Sequence, residues 1–228
     1  MSKDIKHIQA FAFDLDGTLI DSVPDLAAAA NAMRHTLGLS SLPQEQLLGF
    51  VGDGIAVLTH RALTGSQTEQ AEPELWEKGY TLFMQHYNEH VTDHTIIYPD
   101  VVNGLMLLKQ AGFPLIVITN KVEILATKAL KNLGLLDYFS LVIGGDTLPE
   151  KKPSALPLQH VAEVLNVKVS EIAMVGDSKN DVLSARNAGT TAIGVTYGYE
   201  DIRAYQPDIA VDGLSQIYDI LHPSEIKH

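Results

Sequence analysis

Two carboxylates close an apolar run near the start of the chain. The segment "FAFDLDGTLIDS" covers residues 11–22 and carries Asp14 and Asp16 two positions apart. In an extended chain, side chains at i and i+2 point to the same side, so these carboxylates face one small volume. Like charges that close raise a pKa or bind a cation, and Mg²⁺ is the hard cation expected with oxygen ligands. Gly17 permits a sharp exit and a close backbone approach. The plainer alternative for such a pattern is a turn and a cap.

A second acidic pair lies in "GDSKND", residues 176–181. Asp177 follows an apolar run, and Asp181 falls four residues later, about one helical turn on. We expect both to face the same cation, Asp177 as a direct ligand and Asp181 either as a ligand or as a residue that supports the ligands. The alternative is a turn aspartate followed by an ordinary acidic helix start.

Positive charge for this site is expected from Lys152. It precedes Pro153 in "EKKPSALPL", residues 150–158, so it lies in an extended or turn conformation. Its ammonium would offset the carboxylates and a bound anion, although a surface lysine is the plainer interpretation. Thr119 and Asn120 end the run "PLIVITN" and offer a hydroxyl, an amide and backbone N–H groups to an anionic oxygen.

Six short apolar runs predict the strands that carry these residues to one place. Their continuous rather than alternating hydrophobicity is typical of strands buried on both faces, as in a parallel sheet. The runs are residues 8–14, 114–120, 141–146, 172–177 and 191–196, with a weaker one at 208–213.

Helical segments separate the strands and indicate an open α/β sheet. In "VEILATKALKNLG" we expect one apolar stripe, with Gly134 as the stop. The stripe comprises Ile124, Leu125, Ala129, Leu130 and Leu133.

The rhythm of strands and helices breaks between the first and second strands. Three helical segments occur there with no strand candidate between them, which predicts a helical insertion. We therefore expect a Rossmann-like open parallel sheet, residues 1–20 and 95–228, with an all-helical cap domain at 21–94.

Ligands of open α/β sheets bind outside the carboxyl ends of the strands. A polar residue follows most of the predicted strands, so several of them can converge on one crevice. These strand-end residues are Asp14, Thr119, Asn120, Asp146 and Asp177. The helical insertion leaves from the end of the first strand and is a candidate lid.

Composition narrows the class of partner. The net charge is −12, and a broad acidic surface disfavours nucleic acid and anionic membranes as partners. The chain has no cysteine, which removes thiolate metal sites, cysteine nucleophiles and disulfides. No apolar run approaches a membrane span of roughly 20 residues. We expect a cytoplasmic protein that binds a small molecule, either as a monomer or as a homodimer.

Taken together and in order, these pieces resemble the haloacid dehalogenase superfamily of aspartyl-phosphate phosphotransferases. The four matching motifs are Asp14-Leu15-Asp16-Gly17-Thr18, then Thr119, then Lys152 before Pro153, then Gly176-Asp177-Ser178 with Asp181. The resemblance spans nearly the whole chain. "FVGDGIAVLTHRAL" and "YPDVVNGLMLLKQAGFPLIVITNK" further resemble the subgroup of bacterial phosphoglycolate phosphatases.

The resemblance implies a Mg²⁺-dependent phosphatase of small phosphorylated metabolites, with 2-phosphoglycolate favoured. Asp14 would be the nucleophile, Asp16 the general acid and base, and Lys152 the catalytic cation. The phosphate-binding and substrate-binding candidates are Thr119, Asn120, Gly17 and, in the cap turn Gly52-Asp53-Gly54, Asp53. The metal candidates are Asp14, Asp16 through its backbone carbonyl, Asp177 and Asp181. Arg61 could meet a substrate carboxylate, but a solvated surface arginine is the simpler expectation.

Three alternatives stay open. A sugar-phosphate mutase would return the phosphoryl group to its substrate. A metal-free dehalogenase would attack carbon, although Asp16 and Thr18 argue against it. A phospho-accepting signalling module, from a different class, also combines carboxylates, Mg²⁺, a threonine and a lysine on an α/β sheet.

Overall fold

The chain divides into two compact units. In a computed structural model that describes residues 5–222, one unit comprises Met1–Ile20 with Ile97–His228, and the other comprises Asp21–Ile96. The chain thus leaves the first unit after one strand and returns to it some 75 residues later.

A six-stranded parallel sheet forms the centre of the first unit. The strands in chain order are β1 (Ala10–Phe13), β2 (Ile20–Asp21), β3 (Ile96–Ile97), β4 (Leu115–Ile118), β5 (Leu141–Ile143), β6 (Ile172–Gly176), β7 (Thr191–Val195) and β8 (Ile209–Val211). The order in the sheet is β5-β4-β1-β6-β7-β8, every pairing is parallel, and β2 pairs separately with β3. Every residue of β1, β4, β6 and β7 is buried, which explains their continuous apolar sequences.

Helices connect and cover the strands. The described residues form α1 (Val23–Thr36), α2 (Gln44–Leu48), α3 (Ile55–Thr64), α4 (Pro73–Glu89), α5 (Val101–Gln110), α6 (Glu123–Asn132), α7 (Leu156–Leu165), α8 (Lys179–Ala188) and α9 (Ser215–Leu221). Side chains of α7 and α8 pack with those of β1, β4 and β6 in one apolar core that includes Ile116, Leu158, Met174 and Val182. The α/β fold with a parallel sheet, predicted from the sequence, is confirmed.

The strand order places a topological switch point at β1. From β1 the chain continues outward through β4 and β5 on one side, and through β6, β7 and β8 on the other. Such a point opens a crevice at the carboxyl ends of the strands. Asp14 and Asp177 follow the two central strands directly, and the register pairs Phe13 with Val175. The backbone N–H of Asp14 donates to the Val175 carbonyl at 2.9 Å, which fixes the two strand ends side by side.

The second unit is helical and has its own buried polar anchors. Asp25 on α1 is 1% exposed, and it accepts hydrogen bonds from the backbone N–H groups of His94 and Thr95 and from the Thr95 hydroxyl. Arg34 donates to backbone carbonyls at the end of α3, Leu63 among them. These contacts satisfy the buried charges, as burial requires.

Two details of the helices differ from the expectation. Ile124 was placed in the buried stripe of α6, and this is wrong because it is 70% exposed; Leu125 and Leu130 carry the stripe instead. Ile124 lies in the first turn of the helix, where the position relative to the sheet depends on how the chain enters. The short helix α2 was not predicted, since its five residues are too few to show a period. Gly134 follows the end of α6 with φ +70°, as expected of a helix stop.

Candidate active site

The carboxylate of Asp14 is held at the end of β1 by two donors. The Lys152 ammonium lies 2.8 Å from Oδ1, and the backbone N–H of Leu15 donates to the same oxygen at 2.7 Å. Burial raises the pKa of Asp14 to about 7, with Asp181 adding to the effect and Lys152 opposing it. A carboxyl with a pKa near neutrality exchanges its proton readily for a cation.

Lys152 lies between two carboxylates. Its ammonium is 2.7 Å from Asp181 Oδ1 as well as 2.8 Å from Asp14 Oδ1, and its side chain is 1% exposed. Burial alone would lower the pKa of Lys152, but the two carboxylates outweigh it and raise that pKa. Lys152 is therefore a fixed ammonium, and the proximity of Lys152 to Asp14 expected from the sequence is found.

Asp181 serves two neighbours at once. Its Oδ1 accepts from Lys152, and its Oδ2 accepts from the backbone N–H of Ser178 at 3.0 Å and from the Ser178 hydroxyl at 2.6 Å. This reciprocal contact is a capping box at the start of α8. Asp181 is 2% exposed, so the alternative of a solvated helix start is wrong.

Asp177 is enclosed by backbone. Thr18 donates its hydroxyl to Oδ1 at 2.8 Å, and the backbone N–H of Tyr199 donates to Oδ2 at 2.8 Å. Burial, reinforced by the charges of Asp181 and Asp14, raises the pKa of Asp177 well above its ordinary value. Three buried carboxyls within one small volume are thus expensive to ionise together without a cation.

A second buried lysine contacts Asp16, and the sequence analysis missed it. Lys121 Nζ lies 2.9 Å from Asp16 Oδ1 and 3.1 Å from Oδ2, with its side chain 1% exposed. The expectation of a single lysine at the site is therefore wrong, because each aspartate of the D-x-D pair has its own. The signal was present in "TNK", where Lys121 directly follows two strand-end residues already considered.

The other phosphate candidates of the first unit lie at the same strand ends. Thr119 is 3% exposed, and its Oγ1 accepts from the backbone N–H of Lys121 at 3.2 Å, which leaves the hydroxyl proton to donate elsewhere. The Asn120 amide donates to the Lys152 carbonyl at 3.1 Å, so it braces the loop that carries the lysine. Gly17 has φ +88°, and a Cβ there would come within 2.3 Å of Asp177 Oδ2, so only glycine fits.

The loop after β7 completes the enclosure of Asp177, and sequence reasoning did not single it out. A Cβ on Gly198 would lie 2.1 Å from the Asp177 Cβ. The Tyr197 hydroxyl donates to the Thr18 carbonyl at 2.8 Å, and burial raises the pKa of that phenol. The strand-end rule that identified Asp14 also applies to "TYGY" at residues 196–199, directly after β7.

Two expected residues lie elsewhere. Asp146 accepts the backbone N–H of Glu123 at 2.7 Å and caps the start of α6, so it does not join the carboxylate cluster. In the second unit, Asp53 Oδ2 lies 2.7 Å from Arg61, which also donates to the Phe50 carbonyl. Arg61 is thus an ion-pair partner within its own unit rather than a solvated arginine.

The cluster fits a divalent metal ion. Asp14, Asp177 and Asp181 each offer a carboxylate oxygen, and these oxygens lie within 4.8 Å of one another. Their donors are hard oxygens, the kind that Mg²⁺ and Ca²⁺ prefer. The raised pKa values of Asp14 and Asp177 show that negative charge in this place lacks full compensation from the protein.

A parallel α/β sheet with an acidic cluster and a buried lysine at its switch point defines a class of hydrolase. The family model of the haloacid dehalogenase-like hydrolases matches residues 11–195. The chain belongs to this family, as the motifs predicted.

Relatives within the family are similar over nearly the full length. A phosphoglycolate phosphatase of Chromobacterium violaceum is 55% identical over 96% of this chain and 98% of its own. One of Neisseria meningitidis is 53% identical over 100% of this chain and 99% of its own. Among solved structures, a predicted phosphoglycolate phosphatase from Haemophilus somnus has a TM-score of 0.88 at 31% identity, covering 94% of this chain and 98% of its own.

No helix within residues 5–222 combines the length and the hydropathy that a membrane crossing requires.

Proposed function

We propose that this chain is a Mg²⁺-dependent phosphatase that hydrolyses 2-phosphoglycolate to glycolate and inorganic phosphate. The observation that carries the proposal is the buried Lys152 ammonium 2.8 Å from Asp14, beside the carboxylate of Asp177. A cationic pocket around a strand-end carboxylate suits a nucleophile that must approach a phosphate dianion. The names of the relatives support the choice of substrate.

In the first half-reaction, Asp14 is the nucleophile. Its second oxygen, Oδ2, forms a bond to phosphorus while the ester P–O bond breaks, which gives an aspartyl phosphate. The leaving alkoxide takes a proton from Asp16, because an alkoxide is a poor leaving group without one. Leu15 N–H and Lys152 hold Oδ1 of Asp14 and so orient the other oxygen for attack.

In the second half-reaction, water replaces the enzyme carboxylate. The Asp16 carboxylate takes a proton from water as the water oxygen bonds to phosphorus, and the bond between phosphorus and Asp14 breaks. Asp16 regains its proton and Asp14 its charge, so both residues return to their starting states. Each half-reaction uses the same pair with their roles reversed.

The remaining residues stabilise charge. Thr119 would donate its hydroxyl to a phosphoryl oxygen, and Lys152 would offset charge as it develops in the transition state. Asp181 holds Lys152 in place rather than binding the ion directly, since both of its oxygens already accept hydrogen bonds. Asn120 keeps the Lys152 loop in register.

A divalent ion, Mg²⁺ in this proposal, would be held by Asp14, Asp177 and the backbone carbonyl of Asp16. When bound, it neutralises negative charge and polarises a phosphoryl oxygen. Gly17 and Gly198 leave room for the Asp177 carboxylate in the position that this requires.

The unit Asp21–Ile96 is proposed as the cap that selects the substrate, with the Asp53 turn as its contact. The partners are small phosphorylated metabolites rather than nucleic acid or membrane. The cytoplasmic location and the choice between monomer and homodimer stay predictions.

The proposal is tested with a panel of phosphorylated metabolites in Mg²⁺ buffer, measuring kcat/KM by phosphate release. We expect 2-phosphoglycolate to exceed sugar phosphates by at least about tenfold, equivalent to roughly 1.4 kcal/mol of transition-state discrimination. Asp14→Asn should lose activity, while Asp219→Asn, at an exposed position on α9, should retain it.

Two outcomes would overturn the proposal. Phosphorylated product without free phosphate would identify a mutase. A single phosphorylation without turnover on any substrate would identify a signalling module.

A further inference from the structure

The ion pair between Lys121 and Asp16 joins two segments 105 residues apart in sequence. Both carboxylate oxygens of Asp16 lie within hydrogen-bond distance of the same ammonium, at 2.9 and 3.1 Å. The Lys121 side chain is 1% exposed, whereas that of Asp16 is 15% exposed. The carboxylate therefore keeps access to a ligand while the ammonium behind it does not.

Lys121 is itself fixed by the backbone around it. Its N–H donates to the Thr119 hydroxyl at 3.2 Å, and its carbonyl accepts the N–H of Gly145 at 2.8 Å. The ammonium thus projects from a rigid strand end rather than from a mobile loop. Burying an ammonium costs several kcal/mol unless it is well paired, so a residue placed in this way imposes a position on its partner.

We propose that Lys121 is a positioning residue for Asp16, fixing the carboxylate where it can reach the leaving oxygen and, later, the attacking water. The inference rests on the proposed function, because it assigns Lys121 to the steps in which Asp16 moves a proton. A bidentate contact restrains both the place and the plane of a carboxylate, and general acid-base catalysis depends on such geometry.

The proposal predicts which steps fail without Lys121. Loss of an alkoxide needs the proton from Asp16, whereas p-nitrophenolate leaves without one. Hydrolysis of the aspartyl phosphate needs Asp16 for every substrate. Lys121→Met should therefore form the aspartyl phosphate from p-nitrophenyl phosphate but break it down slowly.

The experiment is stopped-flow release of p-nitrophenol in Mg²⁺, followed by acid quenching and detection of phosphorylated protein. For Lys121→Met we expect a burst approaching one product per site, then turnover slowed by about 10²–10⁴-fold, the range that a general acid or base supplies. Turnover of 2-phosphoglycolate should fall by a similar factor. Lys121→Arg, which keeps a cation that can grip the carboxylate, should recover part of the loss.

Lys168→Met is the matched control. That lysine is 81% exposed and lies 3.8 Å from Glu171, so its removal should change neither phase. If the wild type and this control form no phosphorylated protein and release no phosphate, the proposed function fails rather than the role of Lys121.

Other outcomes would overturn the role of Lys121. Equal loss in the burst and in later turnover, without trapped phosphoenzyme, would make it merely structural. A loss confined to KM for carboxylate-bearing substrates would make it a substrate-binding residue. If Lys121→Met does not fold by circular dichroism, Lys121→Gln is measured by the same two readouts.

Discussion

The Lys152 ammonium lies 2.8 Å from Asp14 Oδ1, in a place where the lysine side chain is 1% exposed. Asp181 lies on its other side at 2.7 Å, so one cation compensates two carboxylates that arrive from different strands. This arrangement accounts for how a proposed nucleophile can be anionic and yet attack an anion. It also makes Lys152 essential to both charge and folding.

Replacing Lys152 by methionine should affect both activity and stability. We expect kcat to fall by about 10²–10³-fold, as when one preorganised donor is lost, and the free energy of unfolding to fall by about 3–5 kcal/mol because two buried carboxylates lose their partner. Phosphate release and urea unfolding measure the two effects. Lys151→Met, one position earlier in the same loop, is the control and should change both little. Retained kcat in Lys152→Met would remove the lysine from the mechanism.

Replacing Gly198 by alanine should weaken metal binding. The new Cβ would lie 2.1 Å from the Asp177 Cβ, so the carboxylate or the loop must move. We expect the Kd for Mg²⁺ to rise at least about tenfold by isothermal titration calorimetry, the size of effect seen when the support of a metal ligand is lost. Gly49→Ala is the control, since its Cβ meets only the end of the Gln67 side chain, at 3.3 Å. Unchanged affinity in Gly198→Ala would show that Asp177 does not bind the ion.

The metal-free protein should lose stability as the pH rises. The folded-state pKa of Asp14 is raised to about 7, and that of Asp177 is raised as well, so the folded state holds protons that the unfolded chain releases near pH 4. Stability then falls as the pH rises from about 4 through about 7. Urea unfolding in EDTA at several values from pH 5 to 8 measures this slope.

Added Mg²⁺ should restore stability most at the upper end of that range, where it replaces the protons. Asp14→Asn should flatten the slope, because its amide does not titrate. A metal-free stability that rises steadily from pH 5 to 8 would contradict the assignment of these two carboxyls.

The strands were predictable because their physical signal is local. Runs buried on both faces are continuously apolar, and the polar residue that ends each run marks the carboxyl edge of the sheet. Asp14, Thr119 and Asp177 were located in this way, and the parallel sheet brings them together. The failure at Ile124 arises because periodicity defines a stripe on a helix but not where that stripe begins.

What could not be predicted depends on contacts between distant segments. The pairing of Lys121 with Asp16 and the enclosure of Asp177 by Gly198 follow from the strand order, which no local pattern gives. Asp146 failed as a site residue for the same reason, since β5 ends at the edge of the sheet, away from the switch point. A search for one cation per carboxylate would have drawn attention to Lys121.

The most direct test of the central claim is to trap the covalent intermediate in Asp16→Asn, which keeps the nucleophile but lacks the group that activates water. After reaction with p-nitrophenyl phosphate in Mg²⁺ and acid quenching, peptide mass spectrometry should place one phosphoryl group on Asp14. Phosphate release without any phosphorylated peptide, or a phosphoryl group on another residue, would contradict the account.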